Sequence, residues 1–263
     1  MNSKDLTSFG LIIIESLDDN DNTGYDLFSS VMKKKVFQEP EINAEFYDIN
    51  NRIELFELLT ELVKRATENN EYFLLHFEIH GYEGGIELKD GEQINWSYLL
   101  PYFREINVHY KNSLTIYLAV CYGASLVENI RPNERAPFRV LISSEKEIWH
   151  KHFVKGFVAF YEHFFFSFDT KESLEKYNSV IESDDDKLVM LYSEFFFDQV
   201  VDLERKTINK ESLIKTYKNS MIKRGASESE MNKLSEEKIM NELKSIFKKM
   251  NFSRDYFMMK DIS

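Results

Sequence analysis

Two side chains in this sequence have the types and the placement for nucleophilic chemistry, each closing an apolar run next to or near a glycine. The first run is Phe73-Leu74-Leu75-His76-Phe77-Glu78-Ile79 and closes in His80-Gly81. The second, Leu114-Thr115-Ile116-Tyr117-Leu118-Ala119-Val120, closes in Cys121-Tyr122-Gly123. Cys121 is the only cysteine of the chain. A free thiol is mostly protonated at neutral pH; an imidazole within reach raises its thiolate fraction and later returns the proton to a leaving group. The pair therefore predicts a catalytic dyad in which the Cys121 thiolate attacks a peptide carbonyl and His80 is base, then acid. The backbone N–H groups of Gly81 and Cys121 are the expected oxyanion donors. Gly81 has no Cβ to block close approach, and the Cys121 N–H travels with the nucleophile. Each residue also has a plainer reading, because free cysteine is among the most buried residue types. It is the conjunction that favours chemistry. His76, mid-run among apolar neighbours, reads as a satisfied core histidine, while Glu78 shares a strand face with His80 and is a candidate either to orient it or to form a structural ion pair.

Positioning such a dyad calls for two neighbouring strands that end at the same sheet edge, as in open α/β sheets whose sites lie at the carboxyl ends of parallel strands. The rest of the chain supplies them. Leu11-Ile12-Ile13-Ile14 is an uninterrupted aliphatic run that needs cover on both faces. An acidic loop and a helix from about Tyr25 follow, then a strand near Ile42 to Ile49. Apolar residues at 53, 55, 56, 58, 59, 62 and 63 have the spacing of one buried helical face. Alternating strands and helices imply right-handed crossovers and a mainly parallel sheet. The 263 residues suffice for one large domain and a modest extension, divided here as 1–205 and 206–263.

The order apolar block, His-Gly, spacer, apolar block, Cys resembles the caspase-like cysteine proteases, and the spacer is closer still to their CHAT-domain branch. Gly85-Ile86-Glu87-Leu88-Lys89-Asp90-Gly91 looks like that branch's small hairpin, and Trp96-Ser97-Tyr98-Leu99-Leu100 like the short helix after it. Phe138 to Ser144 looks like the next core strand, and Phe157 to Tyr161 with Ser173-Leu174-Glu175 like two later helices. The resemblance spans roughly residues 8 to 180. It departs at Val120, where a small residue is usual, and at Tyr122; both bear on the pocket beside the nucleophile. It implies an α/β, caspase-like fold, an open sheet flanked by helices, with a helical C-terminal extension. It further implies a protein substrate, an activating or regulatory protein partner, and a setting such as bacterial defence or regulated toxicity. By position, the first specificity pocket would draw on the loop after strand one, Asp18, Asp19 and Asp21, on Ala119-Val120, and on Ser144-Glu145-Lys146-Glu147 in the loop after the next strand. Those acids would pair with a basic residue before the cleaved bond. An ordinary solvated Asn/Asp turn remains the alternative.

A net charge of −12 and the lack of a long basic run argue against nucleic-acid binding. No apolar stretch is long enough for a membrane and Met1 to Asp5 lacks a signal-peptide core, so a cytoplasmic protein is expected. A single cysteine excludes an internal disulfide framework. There is no phosphate loop, no His-Glu-x-x-His and no Gly-x-Ser-x-Gly, so no cofactor and no metal is expected. His150 and His152 read as solvated. Phe164, Phe165, Phe166 and Phe168 read as core or as a contact with another chain. The run 187–193 fits strand or helix, and Glu194 to Lys206 a helix. Beyond Asn209 the pattern is of amphipathic helices, with Tyr256-Phe257-Met258-Met259 as a docking candidate. Three readings stand: a cysteine endopeptidase, a catalytically silent CHAT-like interaction module, and a thiol hydrolase acting on a small molecule.

Overall fold

The computed structural model describes residues 9–18, 22–32, 42–207, 210–223, 227, 231, 234–249 and 253–262. Strands β1 (Phe9–Ser16), β2 (Ile42–Asp48), β3 (Tyr72–Tyr82), β6 (Thr115–Ala119), β7 (Val140–Ser143) and β8 (Val189–Tyr192) form a sheet in the order β2-β1-β3-β6-β7-β8. All of these pairings are parallel except the last, in which β8 runs antiparallel to β7 along the edge. Two short strands, β4 (Gly85–Glu87) and β5 (Gln93–Asn95), form the expected hairpin on the far end of β3.

The sheet is covered on both faces, which is why its central strands read as continuous apolar runs. Along β1, Ile12 and Ile14 enter one core while Leu11 and Ile13 enter the other. The first core lies under helices α2 (Arg52–Glu68) and α3 (Trp96–His109). The second lies under the short helix α1 (Thr23–Leu27), α4 (His150–Ser167) and α5 (Thr170–Val180), whose Phe157, Phe160, Tyr161 and Tyr177 rings fill it. Helix α2 begins at Asn51, whose side chain accepts from the Glu54 N–H at 3.1 Å, while the Glu54 carboxylate reaches back to the Asn50 N–H at 2.8 Å. It buries Leu55, Leu58, Leu59, Leu62 and Ala66, the three-four spacing of one face. Ile53, counted with that face in the sequence, is instead 70% exposed, because at about 100° per residue it stands on the side of the helix opposite Leu55 and Leu62.

The run 187–193 resolves as strand β8 followed by helix α6 (Ser193–Thr207). Four apolar residues are too few for a helix but enough to pair Val189–Tyr192 against Ser143–Val140. Helices α7 (Lys210–Lys223) and α8 (Glu236–Lys249) pack on each other through Ile214 and Ile239. A last turn, α9 (Arg254–Phe257), brings the chain back onto the main body. Phe257, Met258 and Met259 belong to the first core, with the Phe257 ring 5.0 Å from that of Phe197. The docking expectation for this tail is thereby corrected: apolar spacing alone does not say whether the surface that covers such residues belongs to the same chain. The phenylalanine cluster divides, with Phe164 and Phe165 buried and Phe166 and Phe168 exposed. Among the described residues no helix is long and apolar enough to cross a membrane.

Candidate active site

His80 and Cys121 line one cleft of about 480 Å³ at the carboxyl edge of the parallel strands. Along β3, His76, Glu78 and His80 share one face, by strand alternation, and run from the core outward: His76 and Glu78 are buried and His80 is exposed. Glu78 is level with Glu15 on β1 and with Ala119 on β6. Cys121 follows two residues after Ala119, so nucleophile and base stand at the mouth while Glu78 and Ala119 lie one strand repeat deeper. Leu17 and Thr23 complete this wall. The facing wall is Glu147, Ile148, Trp149, His150 and Phe153.

Gly81 is where the two strand ends meet. A Cβ there would lie 2.3 Å from both the Cys121 carbonyl oxygen and Val120 Cγ1, so only glycine permits the approach. The turn after the nucleophile is equally constrained. Tyr122 has a left-handed backbone (φ 56°), its N–H donates to the Lys146 carbonyl at 3.0 Å, and the Ala124 N–H donates to that of Ser144 at 2.9 Å. A non-glycine residue in that conformation stores strain that the surrounding clamp must hold. The Cys121 thiol is half-buried. Sγ lies 3.5 Å from the Ile148 carbonyl, to which it donates, and accepts from the Ile148 N–H at 3.4 Å. Burial pushes the thiol above its ordinary pKa, the Glu147 and Asp186 charges add to this, and the Ile148 contact opposes it. No hydrogen bond joins the imidazole of His80 to a side chain among the described residues.

The buried polar residues beneath the mouth form a network. His76 is held by the Tyr161 hydroxyl at 2.9 Å and by Glu78 Oε1 at 2.9 Å, and Thr23 donates to Glu78 Oε2 at 2.9 Å. His76 is thus the satisfied core histidine that its position predicts. Glu78 serves His76 rather than His80, because the deeper imidazole is the one its carboxylate reaches. Glu15 accepts from the Gly24 N–H at 2.6 Å and the Tyr25 N–H at 3.4 Å.

Of the acids expected to bind substrate, Asp18 is exposed and outside the cleft lining, Asp19 and Asp21 lie outside the described residues, and Glu145 is exposed and also outside the lining. Glu147, two residues on, does line the cleft, as does His150, which the sequence reading left in solvent. His152 pairs instead with Asp186 at 2.5 Å. The residues that spacing did not single out are Glu15 and Thr23. Glu15 carried a signal, a carboxylate in register with a fully aliphatic run; Thr23 carried none, since its partner is remote in sequence. Among the described residues no three His, Cys, Asp or Glu side chains gather as a metal set.

No protein-family profile matches the sequence, and no curated protein does. Among solved structures, that of the Drosophila initiator caspase Dronc aligns with TM-score 0.52 at 14% identity, covering 70% of this chain and 79% of that chain. The fold is caspase-like. At this identity the likeness establishes architecture: a mixed, mostly parallel central sheet between helices. Within that caspase-like frame, the cleft with Cys121 and His80 opens at the edge where an open α/β sheet places its sites.

Proposed function

We propose that this chain is a cysteine endopeptidase of the caspase-like type, allied to the CHAT branch, with Cys121 as nucleophile and His80 as base and acid. The observation that supports this best is the meeting of His80, Gly81 and Cys121 at one cleft. In the reaction the thiolate attacks the peptide carbonyl carbon, a C–S bond forms, and the carbonyl π electrons move to oxygen, which the N–H groups of Gly81 and Cys121 receive. The C–N bond then breaks and protonated His80 gives its proton to the leaving amine. Water, deprotonated by His80, hydrolyses the thioester and frees Cys121.

The resting chain is latent. Burial, with the charges of Glu147 and Asp186, raises the thiol above its ordinary pKa, and a protein partner that shifts the segment 147–149 would bring thiol and imidazole together. The substrate is one specific protein, in the cytoplasm, and the setting bacterial defence or regulated toxicity. A second reading, a silent CHAT-like interaction module, is favoured by the raised thiol and the unengaged imidazole. Peptide-library cleavage separates the two. Cys121→Ala and His80→Ala should each lower turnover by at least about a hundredfold with the urea midpoint unchanged. Cleavage by Cys121→Ala at the wild-type rate would dispose of the dyad.

A further inference from the structure

We infer that Glu78, backed by Glu15, selects an arginine or lysine side chain at the residue whose carbonyl Cys121 attacks. This deepens the peptidase reading above and rests on it. Three observations carry it. The first is depth. Glu78 sits one strand repeat, about 6.6 Å, below His80, a distance that a long basic side chain entering from the mouth can span. The second is room. Ala119 is the strand neighbour of Glu78 and lies directly below Cys121, so the passage from nucleophile to carboxylate crosses the smallest side chain in the row. Leu17 and Phe153 line the passage with apolar surface suited to an aliphatic stem.

The third observation is uncompensated charge. Glu78 and Glu15 occupy paired register positions, are 1% and 3% exposed, and receive no ion pair from a lysine or arginine among the described residues. Glu78 has only His76 and the Thr23 hydroxyl, and Glu15 has backbone N–H groups. Two carboxylates buried side by side, with no lysine or arginine and only the His76 imidazole against them, leave negative charge unmatched. Burial and the Glu78 charge push the Glu15 carboxyl up to about 7. A guanidinium or ammonium placed over Ala119 supplies the missing positive charge. An aspartate in its place would meet like charge, and a leucine would leave Glu78 desolvated and unpaired. Glu78 is therefore a specificity residue, deeper than the loop acids Asp18 and Glu145, which stand outside the cleft.

The test uses the full chain and three peptidyl acyloxymethyl ketones that differ only in carrying Arg, Leu or Asp next to the warhead, with Cys121 modification followed by mass spectrometry. The arginine reagent should react roughly a hundredfold faster than the other two, and the preference should collapse in Glu78→Gln. Ala119→Leu, which blocks the passage and keeps both acids, should slow the arginine reagent far more than it slows alkylation by iodoacetamide. Equal or faster reaction of the leucine or aspartate reagent overturns the selection and leaves the peptidase reading standing. If no ketone reacts while iodoacetamide does, as the latent state allows, agmatine decides the pocket. Agmatine should then slow iodoacetamide alkylation of wild type and not of Glu78→Gln; absence of protection overturns the proposal.

Discussion

At the Cys121 sulfur, burial outweighs the two backbone contacts, from Ile148 and from Cys121 itself, that favour the thiolate. The Ile148 N–H favours thiolate, but desolvation and the charges of Glu147 and Asp186 favour thiol, and the net direction is up. A nucleophile in that state is a resting one. Two strands away Glu15 shows the same competition with a larger result, since its carboxyl is pushed up to about 7 from an ordinary 4.5, by burial first and against the pull of the Gly24 N–H. Between those two values the unfolded chain has lost this proton and the folded chain still holds it. Stability therefore falls as pH rises through that window and is level above it. Glu15→Gln keeps an acceptor for Gly24 and has no charge to bury. In urea unfolding it should match wild type near pH 4.5 and exceed it by up to about 3 kcal/mol at pH 8. An equal difference at both pH values would show that Glu15 is not the group responsible.

At the scale of elements, the site is a junction of two strand ends, and Gly81 sets how close they come. Gly81→Ala puts a methyl group against the Cys121 carbonyl and Val120. Overpacking of this kind costs about 1–3 kcal/mol, and the strand ends must part to accept it. The variant should remain folded in urea titration yet lose peptide cleavage; full activity would mean that the junction does not position the nucleophile. The strands themselves were legible in the sequence because runs such as Ile12 to Ile14 and Phe73 to Ile79 admit no exposed face. Their expected ends at His80 and Cys121 are corrected: β3 runs on to Tyr82, pairing with β4 from His80, and β6 stops at Ala119, two residues before Cys121. The role of Glu78 was not legible, because alternation put it on a face with two histidines and could not say which lay deeper. Thr23 was invisible, since α1 reaches Glu78 only once the sheet has formed. Strand β8 was ambiguous because so short an apolar run lacks a period.

At the scale of the molecule, the chain end closes the first core. The Ala136 N–H donates to the Phe257 carbonyl at 3.0 Å, Arg135 reaches the Tyr256 carbonyl at 2.7 Å, and the Arg135 guanidinium lies 3.8 Å from the Tyr256 ring centre. Burying Phe257, Met258 and Met259 is worth on the order of 5 kcal/mol, comparable with the whole stability of an ordinary domain. Removal of residues 253–263 should leave a largely unfolded chain, and Phe257→Ala alone should lower stability by about 3–5 kcal/mol. A truncated chain with the wild-type urea midpoint would make the tail a separable segment. The apolar residues of this tail gave no sign in the sequence of the core that covers them. The account as a whole turns on whether Cys121 carries an acyl group during turnover. Acid-quenched reactions with a peptide ester ending in arginine, read by intact and peptide mass spectrometry, address this directly. The account predicts that hydrolysis is accompanied by an added acyl mass on the peptide containing Cys121 that is absent from Cys121→Ala; hydrolysis without that adduct would contradict it.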